Sequence, residues 1–164
     1  MDKEKSTRFM LKVVGDVATA MATGLLVVGD RAGLFKHMAA AGPLSAAALA
    51  ERSGVLERYV EEWLAAMAGA GYVEYDAAGD LFTLPAEHAQ FLTDPGSEFY
   101  LGGLYGSVPG LLGMAPKLAQ AFQTGSGISF ADFGADMPQM LEVMNRPVYE
   151  ARLVRHWLPA MPEV

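Results

Sequence analysis

The chain has 164 residues, enough for a real core, and is 52% hydrophobic but only 19% charged, with a net charge of −7 at pH 7. That acidity disfavours nucleic acid and anionic membrane as partners, and the absence of cysteine excludes disulfides and thiolate metal sites. An apolar excess of this size predicts burial against a partner as well as within the chain.

The first nine residues, MDKEKSTRF, are charged and lead into a run that contains Asp16, unlike a signal-peptide core with its cleavage site. The longest uncharged run that follows, Val17 to Gly29, is too short to cross a bilayer, so no membrane is expected and the cytoplasm is the default location. Ser6 or Thr7 can cap a first helix from about Arg8 to Ala32. Its apolar residues include Phe9, Met10, Val13, Val17 and Met21, with Gly15, Ala18, Ala22 and Gly24 between them. A helix apolar nearly all round should be covered on two sides. The expected arrangement is packing in a dimer interface, where the small residues let backbones approach closely. A central core helix in a monomer is the other possibility.

Residues 43–85 carry the densest structural signal. Ser45 is a good N-cap for a helix over Ala46–Arg52, and Gly54 supplies the left-handed turn that ends it. A second helix begins near Leu56 and repeats apolar residues at Leu56, Tyr59, Val60, Trp63, Leu64 and Met67 until Gly69 and Gly71 stop it. Tyr72–Tyr75 and Leu81–Leu84 read as strands joined by the Asp76–Asp80 loop. Helix, turn, helix and hairpin in that order make a winged helix-turn-helix. The fold class expected is mainly α, with a small β-hairpin wing and additional dimerisation and lid helices.

Such a unit commonly places its second helix in the DNA major groove. Here residues 43–85 contain two basic side chains, Arg52 and Arg58, against seven acidic ones, a net charge of −5. DNA affinity comes mostly from Lys and Arg on phosphates, so nucleic acid is not the expected partner.

A helix with Pro85 at its start runs to Leu92, and the domain boundary is placed there: 1–92 as the winged-helix domain and 93–164 as a helical segment. The glycines at 102, 106 and 110 would clear one helix face, while Pro109 predicts a kink or break. The last helical stretch, Met137 to Leu158, should be interrupted by Pro147. Methionines and aromatics of this segment could line an adaptable apolar pocket, or be ordinary core. The three histidines are scattered, no catalytic constellation or metal-ligand set shows, and Asp132 and Asp136 read as a solvated loop.

The order of these elements resembles the N-terminal winged-helix dimerisation domain of class I S-adenosylmethionine-dependent methyltransferases, the O-methyltransferase-like group. The residues that carry the resemblance are Asp30–Phe35 at the end of the apolar helix, Leu44–Ala50, Arg58–Val60, Leu64, Gly71–Val73, Phe82–Pro85, Glu87–Ala89 and the closing Trp157–Pro162. The resemblance implies a homodimer paired through the first helix, at Phe9, Met10, Val13, Val17 and Met21. It also implies a substrate roof formed by Tyr105, Met114, Met140 and Met144 over a small hydrophobic or aromatic acceptor. The family's cofactor site lies on a Rossmann-like sheet with a Gly-rich turn, and no G-x-G-x-G occurs here. No catalytic or cofactor-binding residue is therefore assigned, and S-adenosylmethionine is expected only in a full-length protein with a catalytic domain. The alternative expectation is a winged-helix, ligand-responsive transcriptional regulator.

Overall fold

The computed structural model describes residues 1–134 and 136–161. By packing, the chain divides into two compact units, Met1–Ala86 and Glu87–Val164.

In the first unit, α1 (Lys3–Arg31) is a single helix of 29 residues, about 43 Å long at about 1.5 Å per residue. It starts earlier than Ser6 or Thr7 would set it. Asp2 is the cap, accepting from the Lys5 amide at 3.1 Å, and the Ser6 and Thr7 hydroxyls donate back to the carbonyls of Asp2 and Lys3. Hydroxyls satisfied one turn back sit comfortably inside a helix and need not begin one.

The winged unit follows as α2 (Leu34–Met38), α3 (Ala46–Ser53), α4 (Glu57–Gly69), β1 (Glu74–Asp76) and β2 (Leu81–Thr83). Ser45 caps α3 by accepting from the Ala48 amide at 3.2 Å, and Gly54 ends it at φ 72°. Val60, Trp63, Leu64 and Met67 of α4 are buried. Leu56 and Tyr59, which shared the predicted apolar repeat, are instead exposed. Leu56 is the N-cap residue outside the helix, and Tyr59 lies about 100° round the axis from Val60. The core joins them to Leu34, Phe35 and Met38 of α2, Leu49 of α3, Phe82 of β2 and Leu84 just after it.

The hairpin is shorter than its hydrophobic pattern. The amides of Tyr72 and Val73 turn back to the Met67 carbonyl, at 2.9 and 3.4 Å, and so close the end of α4 instead of entering the ladder. Pairing then runs Glu74 with Thr83, Tyr75 with Phe82 and Asp76 with Leu81. Leu44 adds an antiparallel bridge to Phe82, its amide and carbonyl both bonded at 3.0 and 2.8 Å. The segment before α3 thereby ties the wing to the helices.

One contact fixes α1 to this core. The Trp63 indole donates to the Leu25 carbonyl at 2.9 Å and meets Phe35 edge-on, with ring centroids 5.0 Å apart. Gly29 makes the approach possible: a Cβ there would lie 2.4 Å from Trp63 Cζ2. The indole is buried and held on two sides, so it cannot yield. Gly29→Ala is expected to destabilise the unit by about 1–3 kcal/mol despite the better helix propensity of alanine, read as a lower midpoint in urea.

The second unit comprises α6 (Gly102–Gly113), α7 (Ala115–Thr124), a 3-10 turn at Phe130–Phe133 and α8 (Asp136–Arg152), preceded by α5 (Ala86–Leu92). A π turn, Leu153–Trp157, and a short 3-10 turn, Leu158–Ala160, follow α8. Neither Pro109 nor Pro147 breaks its helix. α6 packs along α8, and that packing holds each helix together across the one ladder bond its proline removes.

Candidate functional site

Two surfaces answer to the residues singled out by the sequence. The first is α1. Residues 1–19 are all exposed, and among them Phe9 is 67% and Val17 58% exposed, with Met21 beyond them at 67%. At about 100° per residue these three fall within about 120° of one another, so the front two-thirds of the helix offers one broad apolar face, with Arg8, Lys12, Asp16 and Thr19 on the other side. Only the final turns are packed, through Leu26, Val27 and Gly29. Between α1 and α4 lies an open groove of about 490 Å³. Small side chains form its walls, Ala18 and Ala22 on one side and Ala66, Gly69 and Ala70 on the other, with Tyr72 at one end. A groove of this kind admits the ridge of another helix closely.

By length and composition α1 as a whole could also cross a membrane, which the uncharged run Val17–Gly29 alone does not reveal. Its charged residues lie among the apolar ones: Lys12 and Asp16 form an ion pair of 2.5 Å near the middle of the exposed part.

The second surface belongs to α6 and α8. Tyr105 is buried on α6, Met140 is half-buried on α8, and Met144 of α8 is about one-third exposed. Gly103 brings these helices together, since a Cβ there would lie 2.9 Å from both Cβ and the backbone nitrogen of Met144. This is the close-packing glycine of the segment. The predicted stripe does otherwise: Gly102 faces the Tyr100 ring, and Gly106 and Gly110 meet no described atom within 4 Å. Met114 stands at the junction of α6 and α7, nine residues beyond Tyr105 and so about 13 Å further along the axis. Tyr105, Met140 and Met144 thus sit on one packed helix pair, while Met114 sits at its far end.

An electrostatic clasp outside both predicted sets orders this unit. Lys117 of α7 donates to Asp132 at 2.8 Å. The Ser129 hydroxyl and amide also donate to Asp132, at 2.7 and 3.0 Å. The Lys117 hydrogen bond first, then those from Ser129, lower the Asp132 carboxyl from 3.8 to about 2. A carboxylate stabilised in this way supports the fold in full above its ordinary value, and the support fades as pH falls through about 2. Carboxyl-carbon NMR is expected to show Asp132 titrating near 2 in the parent chain and closer to its ordinary value in Lys117→Met.

On α4 the outward residues are Glu57, Arg58, Tyr59, Glu61 and Glu62. Arg58 is engaged by Glu62 at 2.7 Å and reaches Glu61 at 3.8 Å. The helix that would read DNA therefore presents its one cation already shared between two carboxylates.

The architecture of residues 43–85 is a winged helix-turn-helix, extended at its N-terminal side by a long apolar helix. Residues 19–94 match the family described as the Rv2258c-like winged HTH domain. A search of curated proteins gives no match. Among solved structures, the chain is similar to the mitomycin 7-O-methyltransferase MmcR, with 20% identity and a TM-score of 0.70 over 92% of this chain and 47% of that one. It is similar to an O-methyltransferase family protein from Burkholderia thailandensis, with 16% identity and a TM-score of 0.63 over 87% and 43%. Human N-acetylserotonin methyltransferase, solved with SAM, gives 19% identity and a TM-score of 0.55 over 89% and 42%. The chain spans less than half the length of each of these structures and shares its fold with that part of them.

Proposed function

We propose that this chain is the dimerisation and substrate-covering part of an S-adenosylmethionine-dependent methyltransferase acting on a small hydrophobic or aromatic acceptor. The observation that carries the reading is the pairing of a methyltransferase-like fold with a long helix whose apolar residues are exposed in the single chain. Burying an exposed valine, methionine or phenylalanine contributes about 1.5–3 kcal/mol each, and α1 carries many of them. The occupant of that surface is a second copy of the chain, its α1 seated along the small-residue groove between α1 and α4.

Insertion in a lipid bilayer fits less well. It would carry the Lys12–Asp16 pair into hydrocarbon and pull against the packed end of the helix at Trp63. Within this proposal the protein works in the cytoplasm. The acidic α4 face and the prior engagement of Arg58 speak against DNA as a partner.

In this reading Tyr105, Met140 and Met144, with Met114 beyond them, form an apolar cover over the acceptor. Neither a catalytic group nor a SAM-binding residue is assigned to this chain; both would be supplied by a catalytic domain. The intact mass of the product of the native gene tests that part of the proposal. A mass near twice the 17.5 kDa of this chain is expected, and one equal to it would contradict the reading.

A further inference from the structure

The wing encloses a second groove, distinct from the one beside α1 and independent of the methyltransferase reading. Its volume is about 610 Å³, within the usual range for small-molecule sites. The floor is apolar and low, formed by Ala65, Ala68 and Gly69 of α4 with Ala46 at the start of α3. One wall is aromatic: Tyr75 and Phe82 are cross-strand partners with ring centroids 4.7 Å apart. Glu61 and Asp80 supply the only charges among the lining residues, and both are negative.

The carboxylate on the wing is held in place. Asp80 adopts φ 51°, a conformation aspartate tolerates better than most residues. The Tyr75 hydroxyl donates to its Oδ1 at 3.0 Å, and Asp76 accepts from the Ala78 amide at 3.0 Å within the same turn. Glu61, on α4, has among the described residues only the long 3.8 Å approach of Arg58, which bonds Glu62 at 2.7 Å. Two carboxylates lining one groove with an apolar floor and an aromatic pair combine ion pairing with cation–π attraction. A bare divalent metal would need a shell of oxygen ligands that this floor does not provide.

We infer that this groove binds a small organic cation, an alkyl- or arylammonium whose apolar body lies on Ala65 and Ala68. Its ammonium group would sit between Glu61 and Asp80 against the Tyr75 and Phe82 rings.

The test uses phenethylammonium and its neutral counterpart phenethyl alcohol, titrated into the full chain and followed by amide chemical shifts. The cation is expected to perturb Ala68, Tyr75 and Phe82 and to bind about tenfold tighter than the alcohol. The double variant Glu61→Gln, Asp80→Asn should abolish that preference, and asparagine tolerates the positive φ at position 80, so the turn persists. Tyr75→Phe should retain binding, since it keeps the ring and frees Asp80. Equal affinity for the two probes, an unchanged preference in the double variant, shifts confined to other surfaces, or no binding at millimolar cation would each overturn the inference.

Discussion

Replacing Val13 with glutamate and Val17 with lysine is expected to turn the proposed dimer into a monomer of 17.5 kDa. Both residues lie on the exposed part of α1, 45% and 58% exposed in the single chain, so neither change disturbs the core. Glutamate four residues before lysine supports an isolated helix, and the pair leaves the net charge of the chain at −7. Any effect must then come from surface buried between copies. Four valines in the dimer, at about 1.5 kcal/mol each, amount to about 6 kcal/mol before desolvation of the new charges, or roughly four powers of ten in dissociation constant. Sedimentation velocity reads the change, and an unaltered far-ultraviolet circular dichroism spectrum per residue, apart from loss of interhelical ordering, shows that the helices remain.

Trp63→Ala should produce the largest loss of stability of any single change in the first unit. The indole fills the space over Gly29, meets Phe35 edge-on and bonds the Leu25 carbonyl. Truncating a buried tryptophan costs about 3–5 kcal/mol, a large part of the 5–15 kcal/mol typical of a whole domain. Trp63→Phe keeps much of the volume and loses the N–H, so it should fall between the two, nearer the parent by the margin of cavity over hydrogen bond. Thermal denaturation distinguishes them. Because Trp63 also ties down the end of α1, the alanine variant should lose self-association along with stability, whereas the Val13, Val17 variant loses self-association alone.

The winged unit was legible because its signals are local. Ser45, Gly54 and the spacing of Val60, Trp63, Leu64 and Met67 each act within a turn or two of themselves. The boundaries that moved were decided elsewhere in the molecule. β1 begins at Glu74 because the amides before it are used to close α4, and Leu44 joins Phe82 across almost forty residues of sequence. Pro109 and Pro147 read as breaks because a proline in a helix interior removes a ladder bond, but helix-to-helix packing is invisible in a linear reading. The same applies to the glycines. Periodicity favoured 102, 106 and 110, whereas the residue at the α6–α8 contact is Gly103. The composition of α1 is plain in the sequence, but that its front two-thirds stays exposed depends on the core closing against its final turns alone.

The candidate cover followed the same pattern. Tyr105, Met140 and Met144 share the α6–α8 pair, which a tally of methionines and aromatics could not have established, and Met114 is set apart by the length of α6. The Lys117–Asp132 clasp spans fifteen residues with no periodic signal, so nothing short of the fold could bring it out. The wing groove likewise depends on a register that pairs Tyr75 with Phe82 and on a turn that fixes Asp80.

Sedimentation equilibrium of the unaltered chain, from low to high micromolar concentration, bears most directly on the proposed role of α1. A particle of twice 17.5 kDa at micromolar concentration, with a fitted dissociation constant that Val13→Glu, Val17→Lys raises steeply, is the predicted result. A single species of 17.5 kDa that persists at high micromolar concentration would contradict it, and the exposed face of α1 would then require another partner.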